Sequence, residues 1–112
     1  MKRGDIYDAD LEPTKGSEQA GRRPVVIVSS NTITGSSQIA VVVPCTSYKG
    51  RHLYPTHVFL QAGDGALPVD SVAVCEQVRV LSKSRLLKHR GTLAPYSMTK
   101  IGDALLILFD IA

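Results

Sequence analysis

Two adjacent arginines, Arg22 and Arg23, stand directly before the apolar run Pro24-Val25-Val26-Ile27-Val28. A guanidinium at the mouth of a rigid strand has a fixed backbone, so it can aim two parallel N–H donors at one phosphate. The same position equally suits a strand-flanking charge paired with a carboxylate. Two hydroxyls, Thr46 and Ser47, follow a second apolar run at Pro44-Cys45. They could donate to phosphate oxygens, or satisfy the turn there. A third polar group, Glu76-Gln77-Val78-Arg79, interrupts an otherwise apolar stretch, which marks either a site or a half-exposed edge strand. Histidine is the usual acid or base near neutral pH. His52, His57 and His89 show no spacing that pairs two of them on one phosphate. Two cysteines and three scattered histidines make no spaced zinc motif.

Positioning these groups requires the elements around them. Residues 4–11 alternate loosely and read as a strand. The polar stretch 12–21, with Pro13, Gly16 and Gly21, reads as a long loop presenting Ser17, Glu18 and Gln19 ahead of the arginines. Residues 24–30 and 38–46 are β-branched strands, separated by a loop or single turn over 31–38. Pro44, with no N–H for a ladder, is expected to mark an edge, a bend or a strand exit. Residues 48–54 form a second polar, basic loop carrying Lys49 and Arg51, and 56–60 a short strand. Residues 69–81 read as one long strand, with a bulge or site at Glu76. A short basic helical turn is expected over 82–90. Pro95 suits the first turn of a helix whose stripe is Met98, Ile101, Leu105 and Leu108. About five strands followed by helices predict a curled antiparallel sheet or small barrel with a helix on it.

The chain has 112 residues, 44% of them hydrophobic and 21% charged. These values describe one globular domain, 1–112, and exclude a disordered chain. So small a core leaves little room for an internal cofactor pocket, and a surface groove, shared between subunits, is the more natural site. No apolar run approaches a membrane span, and the opening Met1-Lys2-Arg3-Gly4-Asp5 lacks the apolar region of a signal peptide. A cytoplasmic protein with buried thiols at Cys45 and Cys75 is expected. A net charge of +3 is compatible with a nucleic-acid partner but weak evidence for one. Four Tyr, two Phe and no Trp do not suggest a broad stacking platform.

The stretch Pro13-Thr14-Lys15-Gly16-Ser17-Glu18-Gln19-Ala20-Gly21-Arg22-Arg23-Pro24 resembles the G-S-E-Q-x-G-x-R-P signature of the MazF/PemK family, the toxins of type II toxin–antitoxin pairs. Arg3-Gly4-Asp5-Ile6, Val43-Pro44-Cys45-Thr46-Ser47, Asp70-Ser71-Val72, Glu76-Gln77-Val78-Arg79 and Gly91-Thr92-Leu93-Ala94-Pro95 continue the resemblance in family order over nearly the whole chain. It implies an SH3-like small barrel of antiparallel strands with a C-terminal helix, acting as a homodimer. It also implies a metal-independent, cofactor-free endoribonuclease that cuts single-stranded mRNA at short sequences and is held in check by a cognate acidic antitoxin. The family's catalytic pair falls on Arg23 and Thr46. Glu18 and Gln19 match loop residues that help form the site; Glu76 and Gln77 match strand positions that reach RNA. Glu18 or Glu76 is the candidate base. Ser17, Arg22, Ser47 and Lys49 complete the expected RNA-binding set. Arg22 and the 48–54 loop lie where the family varies, so the cleavage sequence does not transfer. Two rivals remain: a gyrase poison on the same barrel, which relies on a C-terminal Trp this chain lacks, and a non-catalytic nucleic-acid-binding barrel. RNA cleavage in EDTA separates the three.

Overall fold

Strands from opposite ends of the chain lie side by side. In a computed structural model describing residues 1–12, 15–16, 18 and 21–111, β1 (Asp5–Asp10) pairs antiparallel with β7 (Leu86–Thr92), Asp5 facing Thr92. On its other edge β1 meets β2 (Arg22–Ile27), with Ile6 opposite Val26 and Asp10 opposite Arg22. Next comes β3 (Ile39–Ser47), the longest strand. Its far edge has two successive partners. Ile39 to Val42 pair with β6 (Arg79–Ser82), and Cys45 to Ser47 pair with β5 (Ser71–Val74), which in turn carries β4 (His57–Leu60). Pro44 lies between the two partnerships, where a missing N–H costs the ladder least. The strand path is β4-β5-β3-β2-β1-β7, with β6 branching from β3.

Seven antiparallel strands and a C-terminal helix, α2 (Pro95–Phe109), thus form the mainly-β fold expected, with three local corrections. Residues 69–81 are not one strand. β5 ends at Val74, a 3-10 turn takes Cys75–Gln77, and β6 starts at Arg79. Only a short 3-10 turn, Lys83–Arg85, occupies the expected helical stretch; the rest is β7. Residues 31–36 are a short helix, α1 (Asn31–Ser36), with the Ser30 hydroxyl accepting from the Ile33 N–H.

Alternation along the strands buries both faces of the sheet. One face contributes Ile6, Val26, Val43 and Cys45 to a core closed by Met98, Ile101 and Ala104 of α2. The other contributes Ala9, Val25, Ile27, Ala40 and Val42 to a second core with Leu11 and Leu81. A 3-10 turn at Asp64–Ala66 packs on β7 and β1. Its closeness depends on two glycines. A Cβ on Gly65 would come within 2.7 Å of Ile6, and one on Gly91 within 2.8 Å of the Gly65 backbone. Gly65 also has φ +59, a conformation costly for other residues. The same turn starts α2. The helix has Pro95 at its first position and no capping side chain of its own. Asp64 supplies the cap from a distance, accepting from the Ala94 N–H at 2.9 Å and from the Ser97 hydroxyl.

Candidate active site

The second core runs out where β2 and β3 begin and end. Val25 faces Pro44, and two residues further along that register Arg23 falls opposite Thr46. Both positions keep the parity of Val25 and Val42, so the apolar layer passes into a guanidinium and a hydroxyl. The two side chains meet: Arg23 Nη1 donates to Thr46 Oγ1 at 3.3 Å. Each is half-buried, so water screens the pair only partly.

The loop before β2 is braced from below. The Leu11 N–H donates to the Gly21 carbonyl at 3.0 Å, and the Gly21 N–H to the Glu12 carboxylate at 2.9 Å. Arg85 donates to the carbonyls of Asp10 and Glu12, and Arg79 to that of Leu11. Arg79, which the sequence grouped with Glu76 and Gln77, therefore spends its charge on the base of this loop. These ties give β2 a fixed starting point, and with it the aim of Arg23.

Around the Arg23–Thr46 contact lies a cleft of about 230 Å³. Arg22, Arg23, Thr46 and Ser47 line it together with Pro68, Val69, Ser71 and Arg90. No carboxylate lines it among the described residues. Arg22 and Arg23, with the hydroxyls of Thr46 and Ser47 beside them, suit a phosphodiester, whose charge grows as phosphorus becomes five-coordinate. Two further compartments adjoin. One, past Ser47 and Val69, is lined by Lys49 in the tight turn Tyr48–Arg51. The other, past Arg22, Arg23 and Arg90, continues onto Lys88 and Asp8.

Arg22, Arg23, Thr46 and Ser47 are thus together, with Lys49 next door. Ser17 and Gln19 lie outside the described residues. Glu18 is exposed on the loop and closes a small turn, its carboxylate accepting from the Lys15 N–H at 2.9 Å. Glu76 does not line the cleft. It sits in the 3-10 turn after β5 with its carboxylate accepting from the Thr56 hydroxyl and meeting His57 Nε2, both at 2.9 Å. Partial burial works to raise its pKa, but these bonds and a backbone N–H win and hold it below the ordinary carboxylate range. Gln77, half-buried, shares that turn. Cys45 and Cys75 are buried free thiols, as expected, and burial pushes both up to about 12. Sequence reasoning missed Pro68 and Val69 in the cleft lining, and the pair Asp8–Arg90. Pro68 and Val69 follow a turn with no regular pattern. The pair joins β1 to a strand that had not been foreseen.

The chain is similar to known proteins in both sequence and fold. A family model for the PemK-like, MazF-like toxin of type II toxin–antitoxin systems matches residues 2–109. The chain is 39% identical over 105 residues to the endoribonuclease MazF of Staphylococcus saprophyticus, which covers 94% of this chain and 88% of the relative. It is similar to the crystal structure of MazF from Deinococcus radiodurans, with a TM-score of 0.85, 25% identity, and coverage of 99% of this chain and 97% of that one. It is also similar to an endoribonuclease from a mycobacterial species in complex with its cognate antitoxin, with a TM-score of 0.83, 27% identity, and coverage of 100% and 97%.

Proposed function

Since the chain belongs to the PemK-like, MazF-like toxins of type II toxin–antitoxin systems, we propose that it is an endoribonuclease that cuts single-stranded RNA, chiefly mRNA, without a metal ion. The observation that carries this reading is the Arg23–Thr46 contact inside a cleft lined by Arg22, Arg23 and Arg90. RNA supplies its own nucleophile. The 2′-oxygen attacks the adjacent phosphorus, a 2′-O–P bond forms, the P–O5′ bond breaks, and the ends are a 2′,3′-cyclic phosphate and a 5′-OH. The protein must align the attack, hold the added negative charge and move two protons.

Arg23 and Thr46 stabilise the phosphoryl oxygens. Proton donation to the leaving 5′-oxygen is a lesser role for Arg23, because a guanidinium gives up its proton only above ~12. Glu18 is the proposed base that takes the 2′-OH proton, carried on the loop that leads into β2. Glu76 suits that role less, since a carboxyl held below its ordinary range and bonded on both oxygens is a weak proton acceptor near neutral pH. Glu76 and Gln77 are instead proposed to touch RNA away from the scissile bond, as are Ser17, Gln19, Arg22, Ser47 and Lys49. Exposed bases of a single strand can be read on their edges.

The partners follow from the surface. Phe59, Tyr96 and Ile107 stand exposed around an apolar groove between β4 and α2, a face suited to a second copy in a homodimer. A cognate acidic antitoxin would lie in the basic groove in place of RNA, and a cytoplasmic location suits an mRNA substrate. The test is a long RNA incubated with protein in EDTA, with the ends mapped. Cleavage with 5′-OH ends, abolished by a 2′-deoxy sugar 5′ to the cut, is expected. Cutting that survives the 2′-deoxy substitution would mean attack by water, and binding without cutting would reduce the protein to a binding module.

A further inference from the structure

Beyond the Arg23–Thr46 cleft, the groove has a second basic arm for which the reaction as described has no use. It measures about 340 Å³ and is lined by Asp8, Arg22, Arg23, Pro24, Leu87, Lys88 and Arg90. Arg22, Arg23, Pro24 and Arg90 line both spaces, so the two adjoin. The register explains how the arm is built. Asp8 of β1 stands opposite Pro24 on one side and Lys88 on the other, placing one carboxylate between two strands that each present cations. Slips in the β1–β7 register on both sides of the Tyr7–Asp8 pair release Arg90 from a strict cross-strand position.

Among the described residues, the Arg90 side chain is held at one point. Its Nε donates to Asp8 Oδ1 at 2.6 Å. Among the described residues no protein acceptor engages its two terminal nitrogens. That hydrogen bond and the Asp8 charge hold the Arg90 guanidinium above the ordinary arginine range. The side chain is one-third exposed. An arginine anchored through Nε keeps an end-on fork of two N–H donors, pre-set for a phosphate. Asp8 thus acts as a positioning residue for Arg90, and the anchor lowers the rotamer freedom that Arg90 would lose on binding.

We propose that Arg90, with Lys88 beside it, forms a second phosphate subsite on β7 that grips an RNA phosphate next to the one being cut. This rests on the ribonuclease reading for its ligand and adds to it a residue that sets affinity for flanking backbone. Such contacts fix the register of the strand without reading bases, so the subsite lengthens the RNA needed for tight binding.

The probe is a fluorescein-labelled RNA carrying a 2′-deoxy sugar at the cut site, read by anisotropy at several salt concentrations. Each neutralised phosphate contributes about 0.7 to the slope of log affinity against log salt for a single strand. Arg90→Met is expected to lower that slope by about 0.7 and to weaken binding several-fold. Neutral methylphosphonate placed at each phosphate in turn then locates the contact on the unaltered protein. One position flanking the cut should weaken binding to wild type and have no effect on Arg90→Met. The subsite is overturned if no flanking position couples to Arg90, or if the coupling falls on the scissile phosphate. The two readings fail separately. RNA that binds with this coupling yet is never cut removes the ribonuclease and keeps the subsite; cutting without coupling does the reverse.

Discussion

At the Arg23–Thr46 contact the two side chains have unequal duties. The guanidinium brings a full charge and a fork of donors; the hydroxyl brings one donor, and in this structure accepts from Arg23. Arg23→Ala should therefore cost about 10²–10³ in rate, and Thr46→Ala less. Thr46→Ser, which keeps the hydroxyl, should stay nearer wild type than Thr46→Ala in a timed cleavage assay. Glu18→Gln should also lower the rate in that assay, since an amide cannot take up the 2′-OH proton. A different carboxylate, Asp5, serves stability. It is nearly fully buried. Burial works to raise its pKa, but the Thr92 hydroxyl, the Lys2 N–H and the nearby charges of His89 and Lys2 win, and hold it below the ordinary value. A carboxyl with a depressed folded-state pKa stabilises the protein above its unfolded pKa, and that contribution is lost as pH falls through the folded value. Denaturant midpoints should thus fall below about pH 4, and Asp5→Asn should be less stable at pH 7 by about 1–3 kcal/mol with a flatter acid limb.

Among the elements, α2 begins on a borrowed cap. Asp64 bonds the first turn of a helix with no capping side chain of its own, and a carboxylate at a helix N-terminus also meets the positive end of the dipole. Asp64→Ala should lower stability by about 1–2 kcal/mol, seen as a drop in Tm, with the strands intact by circular dichroism. The strands most legible in the sequence were β2 and β3, whose β-branched runs end at loops, and the short β4. The Arg23–Thr46 site was legible with them, because both residues sit at the ends of such runs. The break between β5 and β6 was hidden because Val72, Val74, Val78 and Val80 keep one parity across the turn at Cys75–Gln77. β7 was hidden for the opposite reason. Leu86–Thr92 has no alternation, since it is held mainly by backbone pairing to β1 with slips in register. With β7 unseen, the Asp8–Arg90 pair could not be seen either.

For the whole molecule, charge and apolar surface line separate grooves. Arg22, Arg23 and Arg90 line one cleft, and the groove of Phe59, Tyr96 and Ile107 lies between β4 and α2. Ile107 is 56% exposed and Tyr96 70%, an apolar area of the kind that marks an interface. Ile107→Glu should shift sedimentation at micromolar concentration from dimer to monomer; a monomeric wild type would overturn the dimer. In the basic groove, an acidic antitoxin segment and RNA should exclude one another. Arg22→Glu with Lys49→Glu should weaken both in a competition titration, and added salt should slow association of each. Simultaneous binding without mutual loss would place inhibition elsewhere.

The pairing of β1 with β7 also sets an order of events during translation. β1 leaves the ribosome early, yet one of its two edges waits for Leu86–Thr92, and the turn at Asp64 has no helix to start until Pro95 is made. Contacts this distant in sequence form late. A nascent chain interrupted before β7 has Arg23 and Thr46 but neither Arg90 in the lining of their cleft nor α2 over the core behind it. The cleft around Arg23 and Thr46 is therefore completed only after β7 and α2 have been made.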